Sequence, residues 1–452
     1  MTEVRNYISN RSNLIAIVLS ALVVAYIGWK VAESPDQALQ FAFNGMSVGA
    51  VYALVALGFT IVYSTVWFFD MYYGAAAALG AYGVFYLRSS ETLGGLYEVN
   101  NPIVNGIFAL VVAGVVFWAL HTGLYYWLRA RFSDNVLRVG FGAVALIAGA
   151  YIDIILTRPE ELHVTASPAI AISVAVGIVL LGRYAYTRFA SSAISPAFTI
   201  ALAVVGIAVG AALAAWIAET PGSKLYLSWG VSCLLAGTVS LALYRGLYVY
   251  MRQRARSPLV MLVATLGILL AFSALIVMVF EPTPRPLPET FGNEPWNIGG
   301  ATIKGFNLFT IGVAIVGFLA LLWLLKMTTF GRTVRAIGDD EEVAKVVGIN
   351  TTVIIAIVFF IGAVFAALGG LLSGHDTAIQ PRMGLLLLLK GWIASVVGGI
   401  GNIYGAILGG FILGMLEQFG IWDLAGEWRD VVSFVVLILF LSFWPTGILP
   451  RK

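Results

Sequence analysis

Residues 331–350 read GRTVRAIGDDEEVAKVVGIN, a strongly charged run in a chain that is otherwise almost all hydrocarbon. Its polarity excludes burial in lipid. Asp339, Asp340, Glu341 and Glu342 open a helical pattern whose apolar side is Val343, Ala344, Val346 and Val347, and Gly348 stands where a helix stops. Glu341 and Lys345 are spaced to pair across one turn. The pattern predicts a short helix held outside the membrane, available to a separate motor domain.

Outward from this island the chain is apolar. Of its 452 residues, 60% are hydrophobic and 11% charged, and apolar runs of about 20 residues recur, which indicates an all-α polytopic membrane protein. The expected spans lie near 14–32, 41–65, 67–87, 105–128, 139–157, 168–187, 197–218, 227–250, 259–280, 306–326, 351–373, 383–400, 403–419 and 431–448. That is about 14 transmembrane segments, including short broken helices. With the N-terminus inside, 17 of the 26 lysines and arginines fall in inner segments, which places both termini and the 331–350 run in the cytoplasm. Arg5 and Arg11 before the first apolar run predict a retained signal-anchor helix. The net charge of +3 is too small and dispersed for a nucleic-acid partner, and the lone Cys233 excludes an intramolecular disulfide.

Two regions are expected to line a pathway. Asn44, Gly45, Gly49 and Tyr52 open the first glycine-rich span, and Asp70 and Tyr73 follow it. Gly398, Gly399, Gly401 and Gly405 punctuate two short apolar pieces, and glycines at 401, 405 and 409 predict a flat strip on one helix face. Asp70, Asp153 and Glu417 are read as interfacial, because a carboxylate at mid-bilayer costs about 2.5–3.5 kcal/mol. The solute is expected to meet backbone groups of broken helices rather than a fixed charged pocket. Prolines 282, 284, 286 and 288 exclude a regular helix from the 281–305 loop, which reads as a cap, a lid or a spacer.

Catalytic signals are weak. Gly45-Met46-Ser47-Val48-Gly49 matches G-x-S-x-G but lies in a continuous apolar helix, and His121, His163 and His375 are scattered. No Gly-Lys dipeptide occurs, so the chain has no P-loop of its own and no ATP-binding cofactor site or metal site is expected.

GRTVRAIGDDEEVAKVVGINTT, FIGAVFAALGGLLSG, KGWIASVVGGIGNIYGAILGGFILGMLEQF and NGMSVGAVYALVALGFTIVYS together resemble the permease subunit of bacterial branched-chain amino acid ABC importers. The resemblance covers about 41–87 and 240–452. It implies a type II-like importer permease in the cell membrane, working with two cytoplasmic ATPase subunits that bind the ATP, a second permease subunit, an external solute-binding protein and membrane lipid. It places Gly331, Arg335, Ala336, Gly338, Asp339, Asp340, Ala344, Gly348 and Asn350 in the ATPase-coupling helix. Residues 1–96 then form N-terminal membrane segments, 97–220 an inserted transmembrane block, and 221–452 the permease core. Asp70 to Ala75 depart from the family pattern, which leaves open branched-chain or other amino acids, urea or short amides as cargo. Rival readings are an ion-coupled secondary transporter, a membrane enzyme and a non-transporting scaffold.

Overall fold

The computed structural model describes residues 25–88, 102–123, 125, 129, 133–157, 162–189, 196–220, 223–254, 258–287, 294–443 and 446–449. After a helical stretch at 25–33, the helices are α1 (Pro35–Val66), α2 (Tyr72–Arg88), α3 (Pro102–Gly123), α4 (Asp134–Thr157), α5 (Ser167–Phe189), α6 (Pro196–Glu219), α7 (Ser223–Leu243), α8 (Val249–Arg254), α9 (Pro258–Phe280), α10 (Gly305–Met327), α11 (Thr329–Asp339), α12 (Glu341–Val346), α13 (Thr351–Asp376), α14 (Met383–Gly398), α15 (Ile403–Gly420) and α16 (Arg429–Phe443). Each expected span after the first coincides with one of these helices. The first lies mainly outside the described residues, as does the signal-anchor reading. Eight helices among the described residues are long and apolar enough to cross a membrane. The protein is a multi-pass helical membrane protein.

Two compact units form, one of residues 1–82 and 232–452, the other of residues 83–231. In the second unit α3 packs on α4 and α5 on α6, and Leu87, Ile155, Leu162 and Ala166 make a buried cluster.

The first unit is built around α1. Pro35 suits a first helical turn, where its missing N–H leaves nothing unpaired. The 32-residue helix is about 48 Å long, well over the ~30 Å hydrocarbon thickness. In its most apolar stretch 89% of residues are buried, against 22% for α10, so α1 is the hub and α10 lies at the edge of the bundle. Around α1 stand α10, α13, α14 and α15.

The helices α1 and α15 meet backbone to backbone. A Cβ on Gly410 would lie 2.5 Å from Ala53 Cα, and one on Gly49 would lie 2.8 Å from Phe411 Cα. Only glycine allows these backbones to meet, a small-residue crossing of the kind membranes favour. The predicted strip of Gly401, Gly405 and Gly409 divides. Gly401 sits in the break before α15 with φ +84°, whereas Gly405 and Gly409 face the end of α14, and Gly410 and Gly414 face α1.

The helices α14 and α15, 16 and 18 residues long, are each shorter than the hydrocarbon thickness and are joined by a sharp break. Gly399 takes φ +116° there, and Asn402 caps α15 by accepting from Tyr404 N at 3.0 Å. The orphan carbonyls of Val397 and Gly398 accept from Ile448 N and Leu449 N, both at 2.9 Å, so the chain's last described segment seals the break.

The proline-rich loop is ordered where described. Arg285 pairs with Ile379, and Pro295–Ile298 and Ala301–Lys304 form an antiparallel hairpin turned by Gly299 and Gly300, φ +61° and +89°. Thr302 N donates to Gln40 Oε1 at 2.8 Å, tying the hairpin to α1.

Candidate functional site

The charged run is two helices rather than one. Asp340, in extended conformation, ends α11 and caps α12, its Oδ1 accepting from Glu342 N at 2.9 Å and Val343 N at 3.0 Å. Gly348 stops α12 with φ +88°, as its position predicts. Asn350 starts α13 by accepting from Val353 N.

The apolar side expected of α12 is not buried. Ala344 is 3% exposed, but Val343, Val346 and Val347 are 57, 87 and 74% exposed. The helix is held from beneath by charge. Glu341 pairs with Arg252 of α8 and, at 2.9 Å, with Lys345, and Thr351 donates to it at 3.3 Å. Partial burial pushes the Glu341 carboxyl up, but the two cations outweigh this and hold it below the usual carboxylate range. A cleft of ≈ 500 Å³ opens beside α12, bordered by Tyr244, Arg252, Asp340, Glu342 and Thr352.

In α11 Gly331, Val334, Ile337 and Gly338 face inward, while Arg335, Ala336 and Asp339 are exposed. A second attachment reaches this helix: Trp67, in the left-handed region at φ +56°, donates its indole N–H to Gly338 O at 2.8 Å. Trp67 begins the break between α1 and α2, so that break is tied directly to α11.

Asp70 closes the same break. It is 1% exposed, accepting from Tyr72 N at 3.0 Å and from Tyr248 OH at 2.9 Å. Tyr248 ends a π-helical turn, Tyr244–Tyr248, that leads into α8 and Arg252. Burial of Asp70 depends on Tyr248, 178 residues away, which no local pattern announces.

A polar cavity of ≈ 250 Å³ lies at the hairpin end of α1. Its walls come from α1 (Ser47, Val48, Tyr52), α13 (Leu372, Asp376), α14 (Met383, Leu387, Lys390) and α16 (Arg429, Asp430). A second cavity of ≈ 270 Å³ shares Ser47, Val48, Asp376 and Arg429 and adds Asn44, Asn307 and Lys304. Both cavities are bordered by charged side chains.

The charge is organised by Glu417, fully buried in α15. It accepts from Tyr52 OH at 2.7 Å and from Ser433 Oγ, and pairs with Lys390 at 3.2 Å. Lys390 also meets Asp430 at 2.8 Å and donates to the Tyr52 hydroxyl oxygen at 3.0 Å. Lys390 and Glu417 therefore neutralise each other. Arg429 Nε and Asn307 Oδ1 are buried without a hydrogen-bond partner, and neither Arg429 nor Asp376 makes an ion pair among the described residues. Arg429 and Asp376 border both cavities.

Of the expected pathway residues, Tyr52 and Asn44 border these cavities, and Gly401 borders a different cleft. Gly45 and Gly49 face α15, Gly398 faces Gly405, and Gly399 meets the segment at Gly447. Tyr73 is fully buried against Gly362. Lys390, Arg429, Asp430 and Asp376 were not singled out by sequence; two opposite charges inside apolar runs, Lys390 and Glu417, were the available signal. Neither described histidine ring is recorded against Ser47: His375 packs at a tilt on Phe306, and His121 stacks on Tyr125 in the other unit.

The family profile described as branched-chain amino acid transport system / permease component matches residues 193–441, starting within the 97–220 block. Among curated relatives, the high-affinity branched-chain amino acid transport permease protein LivH of Salmonella typhimurium is 36% identical over 208 residues, 45% of this chain and 67% of that one. BraD of Pseudomonas aeruginosa, a permease protein of the same description, is 33% identical over 209 residues, again 45% and 67%. The autoinducer 2 import permease LsrC of Yersinia pseudotuberculosis is 31% identical over 244 residues, 50% of this chain and 65% of that one. No solved structure matches. A polytopic helical bundle with a charged two-helix element at one end and a polar cavity at the other thus shares its sequence with transport permeases: the chain belongs to the permease-component family of branched-chain amino acid transport systems.

Proposed function

We propose that this chain is the membrane-embedded subunit of an ATP-driven importer, and that α11 and α12 are the cytoplasmic element on which partner ATPase subunits act. One observation carries the reading: a helix clamped from below by the Glu341–Arg252 and Glu341–Lys345 pairs yet presenting Val343, Val346 and Val347 outward. Exposed valines on a water-facing helix are apolar surface awaiting a partner. The chain would hydrolyse no ATP itself. It would work with two such ATPases, a second permease subunit and an external solute-binding protein, with both termini in the cytoplasm.

Movement of α11 and α12 has two routes into the membrane part, through Gly338 to Trp67 and through Arg252 and the π-helical turn to Asp70. Both end at the α1–α2 break, and α1 walls the cavities. The cargo suited to those cavities is an amino acid with an aliphatic side chain. Arg429 and Asp376 offer opposite charges to a zwitterion, and Val48, Leu372 and Leu387 offer apolar wall. Urea, a short amide or an uncharged polyol would leave both charges unmatched.

The test is uptake of labelled leucine into proteoliposomes holding the chain with its ATPases and binding protein. ATP-dependent uptake, competed by isoleucine and valine but not by urea, is expected. Uptake that follows an imposed proton gradient without ATP would overturn the reading in favour of an ion-coupled transporter. Glu417 gives no support to that rival, because Lys390, Tyr52 and Ser433 already hold it.

A further inference from the structure

At the α11 end of the first unit lies a cleft of ≈ 510 Å³, separate from the one beside α12. It is walled mainly by apolar side chains, Leu325, Val334, Ile403 and Leu449 among them, and carries two cations, Lys326 and Arg335. No carboxylate borders it, and neither cation makes an ion pair among the described residues. Lys326 Nζ stands 4.8 Å from the ring centroid of Tyr404, which in turn packs edge-on to Phe318.

The cleft is bordered by Leu325 and Lys326 at the end of α10, whose exposed side is apolar. Val316, Leu319, Trp323 and Met327 follow one another at helical spacing and are all exposed, so they form a stripe ending beside Lys326. Lysine, tyrosine and tryptophan at the end of an apolar stripe mark the level of lipid headgroups.

We propose that this cleft binds an anionic phospholipid, its phosphate held between Lys326 and Arg335 and an acyl chain lying along the α10 stripe. The chemistry selects the occupant. Two unpaired cations above an apolar wall complement a phosphodiester with a hydrocarbon tail, and basic pockets between spans hold such headgroups. A zwitterionic lipid brings its own cation and gains less. A second copy of this chain would have to bring a carboxylate, and would bury the stripe without lipid. Arg335 borders this cleft and not the one beside α12.

The full-length chain, purified in neutral detergent, would be mixed with equimolar phosphatidylglycerol and phosphatidylcholine and retained lipid read by native mass spectrometry. Each cation near a surface phosphate is worth about fivefold. Lys326→Gln with Arg335→Gln should therefore lower phosphatidylglycerol retention by about twenty-five-fold, while Arg332→Gln, outside the cleft, leaves it unchanged. Lys326→Arg with Arg335→Lys should preserve it. Independently of any variant, wild-type retention of phosphatidylglycerol should fall with added salt and that of phosphatidylcholine should not. Equal retention of the two lipids, salt-insensitive retention, or displacement by inorganic phosphate at equal concentration would overturn the proposal. So would cross-linking of two copies through Tyr404→Cys with no lipid retained. None of these outcomes depends on ATP-driven uptake, so failure here leaves the transport reading standing.

Discussion

Replacing Lys390 with methionine probes the centre of the polar cavity. Lys390 is the cation that balances Glu417, a carboxylate with no exposed side-chain surface. Removing one member of a buried pair strands the other and costs about 3–5 kcal/mol. The Lys390 side chain is 12% exposed at the cavity wall, so water can enter and the lower end applies, about 3 kcal/mol. Glu417→Gln should cost less, about 1–2 kcal/mol, because Lys390 keeps Asp430 at 2.8 Å and the amide oxygen still accepts from Tyr52. The double variant leaves no stranded buried charge and should resemble Glu417→Gln alone, a coupling of about 3 kcal/mol. Unfolding free energies in mixed detergent, measured for the four proteins, give that coupling directly. Simple additivity, or a Lys390→Met cost no larger than that of Glu417→Gln, would refute the pairing as the organiser of the cavity.

Three further outcomes follow from other contacts. Gly410→Leu should prevent α1 and α15 from meeting and cost well over the about 1–3 kcal/mol of ordinary overpacking, because backbone cannot yield; Gly230→Ala, with nothing near its Cβ, should be neutral or slightly stabilising in the same unfolding assay. Asp340→Ala removes the cap of α12 and should cost about 1 kcal/mol, seen as faster amide exchange confined to 341–347. Trp67→Phe loses the bond to Gly338 O, about 1 kcal/mol of stability, and should lower uptake per ATP hydrolysed more than it lowers ATP hydrolysis.

The span pattern was legible because a bilayer imposes a length of about 20 apolar residues on each helix, so local composition carries it. The ends of α10 and α13 fall within a few residues of the apolar windows. Burial was not legible. The partners that enclose Asp70 and Glu417, Tyr248 and Tyr52, lie 178 and 365 residues away. The division of 331–350 had a local signal: Asp340 before two glutamates is a cap, and it was read as part of one helix. The exposure of Val343, Val346 and Val347 could not be read, because an apolar face looks alike whether it meets this chain or another.

The most direct measurement is ATPase co-purification and ATP-driven uptake with Val346→Glu. Val346 is 87% exposed and packs on nothing that holds the fold, so the variant should keep wild-type thermal stability. A carboxylate placed against a partner's apolar surface costs about 1–3 kcal/mol, so co-purification and uptake should both fall by about tenfold or more. Full co-purification and full ATP-driven uptake by this variant would contradict the assignment of α12 as the element the ATPase engages.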